Sequence, residues 1–398
     1  MQTKPLSGLR VLDLTNVLAG PFCCHYLAHL GADVIKVETP GRGDLARQLG
    51  ADDELNARGM GVSFLAQNAG KRSITLNLKS DAGRDIFMRL LATSDVLVEN
   101  FRPGVMARLG LDYEILKSVR ADLIYCAISG FGQTGPWRDR PAYDQIVQGA
   151  SGVMSITGDA DTSPLRVGYP VSDTIGGLTA GFAITAALQA KPRGTFIDIS
   201  MMEATIATMG WVVSNYLNAN VEPKPLGNDN MTSAPSGTFR TGSGLINIAA
   251  NKQEQWELLA RHIARADLVS DKRFATRPDR IAHRRELQDV IERALSEKSA
   301  AEWADELCAI GVPAGPVLTV AEVLSHNQIT ERHLISEADA EPTLGRRLHT
   351  TRPAMMFDGE RPSVDAPPPT LGADTDALLR ELGYDAAAIK QFREDGAT

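Results

Sequence analysis

The stretch that decides the fold lies near the N-terminus, where RVLDLT at residues 10–15 is followed by DVIKVE at residues 33–38. Each is a short apolar run with the length of a buried strand, and a helix-like stretch at residues 21–30 lies between them. Two strands joined through a helix are the repeating unit of parallel sheets. The chain is therefore predicted to begin with an α/β domain.

The same alternation continues beyond this stretch. Further strand-like runs lie at residues 73–78, 95–99, 122–129 and 196–200, and helical patterns lie at residues 81–92 and 174–190. Repeated strand–helix–strand units predict an α/β fold with a doubly wound, mostly parallel sheet that helices cover on both faces.

After residue 217 the pattern changes. Two strands joined by a turn are predicted at residues 237–240 and 245–250, followed by amphipathic helices near residues 253–264, 283–296 and 300–310. Ser299 and Glu302 have capping-box spacing, and Gly311 is placed to end the last of these helices. We expect a large domain of residues 1–216 plus 331–398 and a small α+β domain of residues 217–330. The proline-containing tail should run extended until a helix at residues 375–382.

Composition excludes several classes of protein. The 398 residues contain 41 Lys+Arg and 49 Asp+Glu, so the net charge of −8 argues against a broad basic surface for nucleic acid. The longest uncharged runs, at residues 14–32, 174–190 and 204–221, hold too many polar residues to span a membrane and are expected to be buried helices. No apolar secretory pattern opens the sequence, so a cytoplasmic location is expected.

The four cysteines give no sign of a metal site. Cys23, Cys24, Cys126 and Cys308 form no C-x-x-C pair. Cys23 and Cys24 lie beside each other in an apolar helical pattern, which is typical of reduced thiols in a core. We expect no structural metal.

A glycine motif follows the strand predicted at residues 122–129. GFGQTG at residues 130–135 matches the dinucleotide fingerprint G-x-G-x-x-G. That fingerprint requires a helix to begin at the motif, whereas Pro136 and Pro141 interrupt the chain directly afterwards. A glycine-rich loop is the favoured interpretation, and nicotinamide binding is the alternative.

Asp173 is the main candidate for chemistry, since it lies where a long apolar helix begins. One interpretation is structural: the carboxylate caps this helix by accepting backbone N–H bonds. The other is catalytic, because a carboxylate beside a helix N-terminus is expected to stay ionised, as a nucleophile must. Gly176 and Gly177, one turn later, would leave space for a substrate.

Two further groups of polar residues have similar alternatives. Asp144, next to Tyr143, starts another helical segment and could simply cap it. Several cations fall near strand ends and could either bind an anionic ligand at the sheet edge or remain solvated surface charge; they are Lys36, Arg72, Lys79, Arg102 and Arg108.

Several short motifs follow one another in a specific order. They are VLDLT at residues 11–15, AGP at 19–21, LGADVIKVE at 30–38, KRS at 71–73, VENFRPG at 98–104, GFGQTGP at 130–136 and GVPAGP at 311–316. In order and spacing they resemble the class III CoA-transferases, the formyl-CoA transferase and carnitine CoA-transferase family, from Leu6 to about Leu382.

The resemblance implies a large Rossmann-like CoA-binding domain, a smaller domain, and an interlocked homodimer whose two chains thread each other. It places the nucleophile at Asp173 and a further catalytic site beside the thioester at Tyr143 and Asp144. The implied CoA contacts are Val17, Leu76, Lys79, Asn100, Phe101, Val105, Arg108 and Leu109. It implies no tightly bound cofactor, with CoA as substrate and product, and acyl-CoA and small carboxylic acids as partners, with no nucleic acid and no membrane.

The implied reaction proceeds through acyl–aspartyl anhydrides and an aspartyl-CoA thioester at Asp173, with residues 228–237 as a candidate lid. Leu18 stands where formate and oxalate enzymes have glutamine, which weakens an oxalate assignment. The segment at residues 14–22 is more similar to enzymes of dicarboxylate metabolism, such as succinate–hydroxymethylglutarate CoA-transferases. A donor such as succinyl-CoA is therefore expected.

Three other functions remain open. An α-methylacyl-CoA racemase shares the implied fold but needs a histidine where this chain has Tyr143, whose phenol is a poor base at neutral pH. The other two are a nicotinamide oxidoreductase and a non-catalytic acyl-CoA-binding protein. The sequence does not identify the donor and acceptor acids.

Overall fold

The computed structural model describes residues 4–364 and 366–398, with residues 342 and 343 described through their backbone only. The chain divides into two compact units. The first unit runs to Val153 and also includes Arg166–Val221 and Thr330–Thr398. The second unit comprises Met154–Leu165 and Glu222–Ile329, so residues 154–165, which the sequence pattern left in the large domain, belong to it.

The strands of the described ranges are β1 (Arg10–Asp13), β2 (Asp33–Glu38), β3 (Arg72–Thr75), β4 (Val96–Glu99), β5 (Ile124–Ser129), β6 (Thr195–Ser200), β7 (Ser236–Arg240), β8 (Leu245–Ala249), β9 (Ala314–Pro316), β10 (Ile335–Ala338) and β11 (Leu348–Thr351).

The α-helices are α1 (Ala19–His29), α2 (Asp53–Ala57), α3 (Val62–Leu65), α4 (Asp81–Ala92), α5 (Val105–Arg108), α6 (Tyr113–Val119), α7 (Asp144–Ala150), α8 (Val171–Ala187), α9 (Met201–Thr208), α10 (Trp211–Ala219), α11 (Gln253–His262), α12 (Arg277–Ala282), α13 (Arg284–Leu295), α14 (Ala300–Ala309), α15 (Val320–Ser325), α16 (Asn327–Thr330), α17 (Glu341–Leu344), α18 (Thr375–Glu381) and α19 (Ala386–Glu394). Short 3₁₀ helices lie at Leu45–Gln48, Val153–Ile156 and Ala266–Val269.

The first unit is built on a six-stranded sheet in the order β3-β2-β1-β4-β5-β6. Every neighbouring pair in it is parallel. The predicted α/β fold is thus confirmed. From β1 the chain proceeds outward to β2 and β3 and then returns to β4 on the other side of β1. The loops that leave β1 and β4 therefore diverge, which opens a crevice at the carboxyl ends of the strands.

Alternate strand residues serve two hydrophobic cores, one on each face of this sheet. On β1, Leu12 belongs to one cluster and Val11 to the other. Buried residues of α4 and α18 complete the first cluster, whereas α1 and α8 complete the second. This is the pattern of a parallel sheet covered by helices on both faces.

The second unit has a three-stranded antiparallel sheet in the order β7-β8-β9. Its core centres on the fully buried Trp256. The predicted capping box of α14 is confirmed: Ser299 N–H donates to the Glu302 carboxylate at 2.9 Å, and Glu302 N–H donates to Ser299 Oγ at 3.3 Å. Gly311 follows the helix with φ +85°, the left-handed conformation that ends helices.

Two predictions for the first unit were wrong. The tail is not wholly extended before its helix, because the short helix α17 lies between the paired strands β10 and β11. The helix predicted at residues 375–382 is present as α18, but it is not the final one, because α19 follows it. The uncharged run at residues 204–221 is not one buried helix. It belongs to α9 and α10, and α10 leaves Trp211 and Leu217 exposed.

Among the described residues, no helix is both long and apolar enough to cross a membrane. Cys23, Cys24 and Cys126 are free thiols in the interior, as expected for the adjacent pair, while Cys308 is exposed.

A histidine pair is buried inside α1. The rings of His25 and His29 lie 4.3 Å apart between centroids, and both residues are almost completely buried. Burial, together with the neighbouring His29 and Lys71, lowers the pKa of His25 to about 3. Burial likewise lowers the pKa of His29 to about 4. Both rings are therefore neutral in the folded protein at pH 5.

We predict that the free energy of unfolding decreases as the pH falls from about 6.5 towards 4. The unfolded histidines take up protons below about pH 6.5, whereas the buried rings do not. Linkage gives a loss on the order of 2 kcal/mol for each histidine at pH 5 relative to pH 7. Denaturant unfolding at both pH values measures it. A His25→Gln/His29→Gln double variant should lose much of this dependence, and the exposed-residue control His349→Gln should keep it; equal pH slopes in all three proteins would contradict the prediction.

Candidate active site

A cavity of about 350 Å³ lies in the first unit at the carboxyl ends of β1, β4 and β5. Its size falls in the range of small-ligand pockets. It is lined by Asn16, Val17, Leu18, Ala19, Leu45, Asn100, Phe101, Arg102, Pro103, Ile128, Ser129, Gly130, Arg138, Arg140, Ala142, Tyr143, Asp173 and Met201. The crevice expected from the reversal of strand order is therefore a real cavity, and Asp173 and Tyr143 both face it.

Asp173 is not the cap of its helix. The helix α8 begins at Val171, three residues earlier than expected, and its N-cap residue Pro170 makes no side-chain capping bond. Asp173 is thus the third helical residue, and its partly buried side chain lines the cavity. The structural interpretation from sequence, that this carboxylate caps α8, was wrong.

The cap of α8 comes from Asp144 instead. Asp144 Oδ1 accepts the backbone N–H of Ser172 at 2.9 Å and that of Asp173 at 3.3 Å. Its other oxygen accepts from Gln148 Nε2 at 2.6 Å. The expectation that Asp144 caps its own helix α7 was therefore also wrong, since its side chain reaches across to the N-terminus of α8.

This arrangement changes the charge of Asp173. Burial, followed by the nearby Asp144 carboxylate, raises the pKa of Asp173 to about 7. The prediction that the helix N-terminus keeps it firmly ionised was wrong, because lost hydration and a like charge outweigh the helix dipole. At neutral pH the carboxyl divides between its two protonation states, as suits a group whose ionised form must be reactive.

Gly176 and Gly177, the two glycines after Asp173, allow close packing between helices and do not leave open space for a substrate. A Cβ at Gly177 would lie 2.5 Å from the Ala19 carbonyl oxygen, and one at Gly176 would lie 2.9 Å from Met201 Cγ. The predicted empty space at these glycines is occupied by α1 and by the start of α9. The missing side chain of Gly177 lets α8 lie directly against α1, and that of Gly176 lets α8 lie against the start of α9.

A cluster of buried charges lies beneath the loop that leaves β1. Lys71 Nζ contacts Asp13 Oδ2 at 2.8 Å, and Lys36 Nζ contacts Asp44 Oδ2 at 2.9 Å. Arg47 pairs with both oxygens of Glu38 at 2.7 Å. Although burial opposes ionisation, Lys36 and Lys71 lower the pKa of Asp13 to about 2. The cluster is thus three ionised acids matched by three cations.

The cations expected to bind an anion separate into distinct groups. Lys36 is fully buried in that cluster, so both alternatives given for it, an anion-binding residue and a solvated surface charge, were wrong. Arg72 pairs with Asp33 and Glu381. Lys79 and Arg108 are exposed but do not line the cavity. Arg102 does line it.

Two further cavity arginines were not identified from sequence. Arg138 and Arg140 line the cavity with Arg102, and the Arg140 guanidinium lies 4.6 Å from the centroid of the Trp137 ring. Their signal was the sequence RDR at residues 138–140, directly after the glycine-rich loop. Within the described part of the chain, the residues that line the cavity include three arginines and no lysine.

The implied CoA contacts also fall into groups. Val17, Asn100 and Phe101 line the cavity. Leu76 is buried in a hydrophobic core, and Leu109 packs against that core. Lys79, Val105 and Arg108 lie outside the cavity lining. The structure thus brings three of the eight together with Asp173.

The glycine motif after β5 does not open a helix. Residues 130–143 form bends and turns, and the next helix is α7. Gln133 N–H donates to the Asp198 carboxylate, at 2.9 Å to Oδ2, so this backbone is held by the protein itself. The helix N-terminus that a pyrophosphate would need is missing there. The glycine-loop interpretation is confirmed in its geometry.

In the second unit, residues of the candidate lid border a separate open groove of about 500 Å³. Asn228, Asp229 and Asn230 line it together with Asn247. The role of residues 228–237 as a lid stays a prediction. Throughout residues 4–364 and 366–398, no three His, Cys, Asp or Glu side chains come together to hold a metal ion.

The chain was compared with known proteins. The model of CoA-transferase family III matches residues 6–375. Succinyl-CoA:glutarate CoA-transferase of Mus musculus is 37% identical over 393 residues, covering 98% of this chain and 89% of the mouse protein. Acetyl-CoA:oxalate CoA-transferase of Acetobacter aceti is 41% identical over 335 residues, covering 83% of this chain and 85% of that protein.

Solved structures agree with the sequence comparison. A CAIB/BAIF family protein from Brucella suis superimposes with a TM-score of 0.84 at 34% identity, covering 96% of this chain and 100% of that one. Rv3272 from Mycobacterium tuberculosis superimposes with a TM-score of 0.82 at 31% identity, covering 94% and 99%. The resemblance seen in the motifs is confirmed: this chain belongs to CoA-transferase family III and is a CoA-transferase.

Proposed function

We propose that this enzyme moves CoA from succinyl-CoA, or a similar dicarboxylyl-CoA, to a carboxylic acid acceptor, with Asp173 as the nucleophile. The observation that carries the proposal is the Asp173 carboxyl in the wall of the cavity at the carboxyl ends of β1, β4 and β5. Relatives named for succinyl-CoA and dicarboxylic acids support the donor, among them the mouse enzyme and the succinate–glutarate CoA-transferase of Agrobacterium fabrum.

The first half of the reaction releases the donor acid. An oxygen of the Asp173 carboxylate attacks the thioester carbon, the C–S bond breaks, and an acyl–aspartyl anhydride and CoA thiolate form. The thiolate then attacks the aspartyl carbonyl of the anhydride. This step expels the donor as its carboxylate and leaves CoA on Asp173 as a thioester.

The second half reverses these steps with the acceptor. The acceptor carboxylate attacks the aspartyl thioester, CoA thiolate leaves, and a second anhydride forms. The thiolate attacks the acceptor carbonyl of that anhydride, giving the new acyl-CoA and regenerating the Asp173 carboxylate. Every covalent state on Asp173 keeps the energy of the original thioester, provided that water stays out of the cavity.

The environment of Asp173 favours these covalent states. Burial and the Asp144 charge both destabilise the ionised form of Asp173, and the pKa of Asp173 is raised accordingly. Acylation converts the carboxylate into a neutral anhydride or thioester, which relieves both penalties. The same environment makes the ionised form more basic and thus a stronger nucleophile. Tyr143, whose side chain faces the cavity, is proposed as a further group beside the thioester.

The arginines of the cavity wall fit the other part of the substrate. CoA carries phosphate groups, and Arg102, Arg138 and Arg140 present guanidinium groups, which bind phosphate through charge-assisted hydrogen bonds. Within the proposed function, these arginines supplement the contacts implied by resemblance at Val17 and Phe101. Arg108, Lys79, Val105, Leu76 and Leu109 remain proposed contacts for parts of CoA that extend beyond this cavity.

Oxalate is a second candidate acceptor. The acetyl-CoA:oxalate CoA-transferase of Acetobacter aceti supports it, with 41% identity over 83% of this chain. Leu18 speaks against it, because this apolar side chain lines the cavity where the formate and oxalate enzymes have a glutamine amide. Longer dicarboxylates with a methylene chain are better matched to a leucine at this position.

The assembly is proposed to be an interlocked homodimer. The single chain leaves large apolar side chains exposed in the first unit, including Phe182 at 77% and Leu217 at 72% of their surface. Exposed apolar area of this kind is typical of subunit interfaces. The threaded arrangement of the family would cover such residues.

We predict that Asp173→Ala lowers the rate of CoA transfer at least about 10³-fold, because alanine has no carboxylate with which to form the covalent intermediates. Transfer from succinyl-CoA to a panel of two- to six-carbon acids, oxalate included, is measured by mass spectrometry. Wild-type enzyme incubated with succinyl-CoA and then hydroxylamine should carry a hydroxamate at Asp173. The control Asp161→Ala, at an exposed aspartate, should transfer normally; substantial turnover by Asp173→Ala would refute the nucleophile role.

We predict that kcat/KM rises with pH through an apparent pKa near 7, because the carboxylate form of Asp173 is the nucleophile and is lost on acidification. Asp144→Asn should move this pKa to lower pH. Asparagine keeps the oxygen that caps α8 but removes the neighbouring negative charge. Burial also raises the pKa of Glu99 to about 7, but Asp144→Asn leaves Glu99 untouched. An identical pH profile in wild type and Asp144→Asn would therefore mean that Asp173 is not the titrating group.

We predict that the protein remains dimeric at nanomolar concentration, since interlocked chains cannot separate without unfolding. Mass photometry of a dilution series measures the dimer fraction over time. The control is Phe182→Asp, which weakens an interface of exposed apolar residues but does not change the threading of the chains. The dimer of this variant should therefore still dissociate slowly. Rapid, concentration-dependent dissociation of the wild type would rule out the interlocked arrangement.

A further inference from the structure

The loop between β1 and α1 contains an unusual backbone conformation. Val17 has φ +66°, in the left-handed region that β-branched residues avoid. Without other interactions, a residue of this type would populate the left-handed conformation roughly 5 to 150 times less than a relaxed conformation. Val17 and its successors Leu18 and Ala19 line the same cavity as Asp173. Something must therefore hold this loop in place.

The peptide unit between Asn16 and Val17 is held at both of its edges. Its carbonyl oxygen, on Asn16, accepts a hydrogen bond from Asn100 Nδ2 at 2.8 Å. Its N–H, on Val17, donates to Asp44 Oδ1 at 2.9 Å. Because the peptide is planar, two bonds on opposite edges fix its orientation and with it the φ angle of Val17.

The preceding peptide unit is held in the same way. The Thr15 carbonyl oxygen accepts from Lys36 Nζ at 2.8 Å, and Asn16 N–H donates to Asn100 Oδ1 at 2.8 Å. Two consecutive peptides thus have all four of their polar groups bonded to side chains. Asn100 supplies two of these bonds, one from each end of its amide.

The two side chains that hold peptide 16–17 are themselves fixed. Asp44 is only 1% exposed, forms the ion pair with Lys36, and donates its own N–H to Glu38 Oε2 at 2.9 Å. Asn100 follows directly after β4, in a turn where Phe101 N–H donates to Glu99 Oε2 at 2.7 Å. Both residues therefore act from rigid positions, as a clamp needs.

We propose that Asp44 and Asn100 are positioning residues, which hold Val17 in the left-handed conformation so that Val17, Leu18 and Ala19 form the cavity wall that the transfer reaction requires. The inference rests on the proposed function of the cavity. It gives Asn100 a different role from the CoA contact implied by resemblance. Its amide oxygen and nitrogen each bond to the Asn16 backbone, and in this role Asn100 acts through the loop.

A double-mutant cycle between residues 100 and 17 tests the proposal. Without the Asn100 bonds, Val17 should relax to negative φ, and only a small fraction of molecules would keep the competent wall. Asn100→Ala should then lower kcat about tenfold or more and change the KM for succinyl-CoA less than about threefold. Glycine adopts positive φ as readily as negative φ, so Val17→Gly should remove the need for the clamp. The double variant Asn100→Ala/Val17→Gly should lie within about threefold of Val17→Gly alone.

Asn56→Ala is the matched control. It removes another amide that bonds to backbone in the same unit, from Asn56 Nδ2 to the Gly50 carbonyl at 2.9 Å, and kcat should not change. If Asn100→Ala does not fold, Asn100→Asp replaces it, because aspartate keeps the acceptor for Asn16 N–H and loses only the donor to the Asn16 carbonyl. Circular dichroism at the assay temperature checks folding.

The crystal structure of the Asn100 variant supplies a readout that does not depend on catalysis. A negative φ at Val17 supports the clamp even if succinyl-CoA is not the donor or Asp173 not the nucleophile, so the two proposals can fail separately. The clamp is overturned if Val17 keeps its positive φ in the variant. It is also overturned if KM rises while kcat is unchanged, or if Val17→Gly gives no rescue, because Asn100 would then contact the substrate directly.

Discussion

The shape of the cavity at the carboxyl ends of β1, β4 and β5 depends on one buried cluster of charged side chains, in which acids and cations are equal in number. Three acids and three cations, Asp13, Lys36, Glu38, Asp44, Arg47 and Lys71, lie almost wholly out of solvent beneath the loop between β1 and α1. Burying six charges is costly unless each finds partners. Here the partners are one another and the backbone: Lys36 bonds to the Thr15 carbonyl, Asp13 to the Thr15 N–H, and Asp44 to the Val17 N–H. The cost of burial is thus offset by bonds that shape the cavity wall, and the sheet supplies the rigid frame on which they act.

A second long-range contact positions the carboxyl that is proposed as the nucleophile, Asp173. Asp144 caps α8, a helix to which it does not belong, so the first turn of α8 is satisfied without Asp173. Asp173 is left with its carboxyl in the cavity, where burial and the same Asp144 raise its pKa to about 7. Gly177 lets α8 pack closely against α1, and Gly176 lets it pack closely against Met201 of α9. Capping, close packing and charge repulsion are usually discussed as separate effects on stability, but here they act on one side chain and set its position and its pKa.

Local sequence patterns were sufficient to predict most of the strands and helices of the fold. The bounds of β2 and α4 agree with those predicted, and the capping box of α14 and the stop at Gly311 are where their residues indicated. The errors were of two kinds. The tail hairpin of β10 and β11 lies in a proline-containing segment with weak alternation, so pairing between its strands overrode local propensity. The run at residues 204–221 is apolar enough for a core, yet α10 is exposed in the single chain. Apolar composition alone does not distinguish a segment buried in the core from an exposed apolar surface.

By itself the sequence determined the family and the parallel α/β sheet, and it singled out Asp173 as a candidate, because these are encoded in short motifs, in hydrophobic periodicity and in their order along the chain. Only the tertiary structure decided the roles of the charged residues around that aspartate. Lys71 and Asp13 are 58 residues apart and Asp144 lies 28 residues before Ser172, and nothing local pairs them. A lysine within a strand looks like surface charge, and an aspartate before a helix looks like its cap. Which partner each one meets depends on how separate strands and helices are brought together, and that is a property of the fold rather than of any segment.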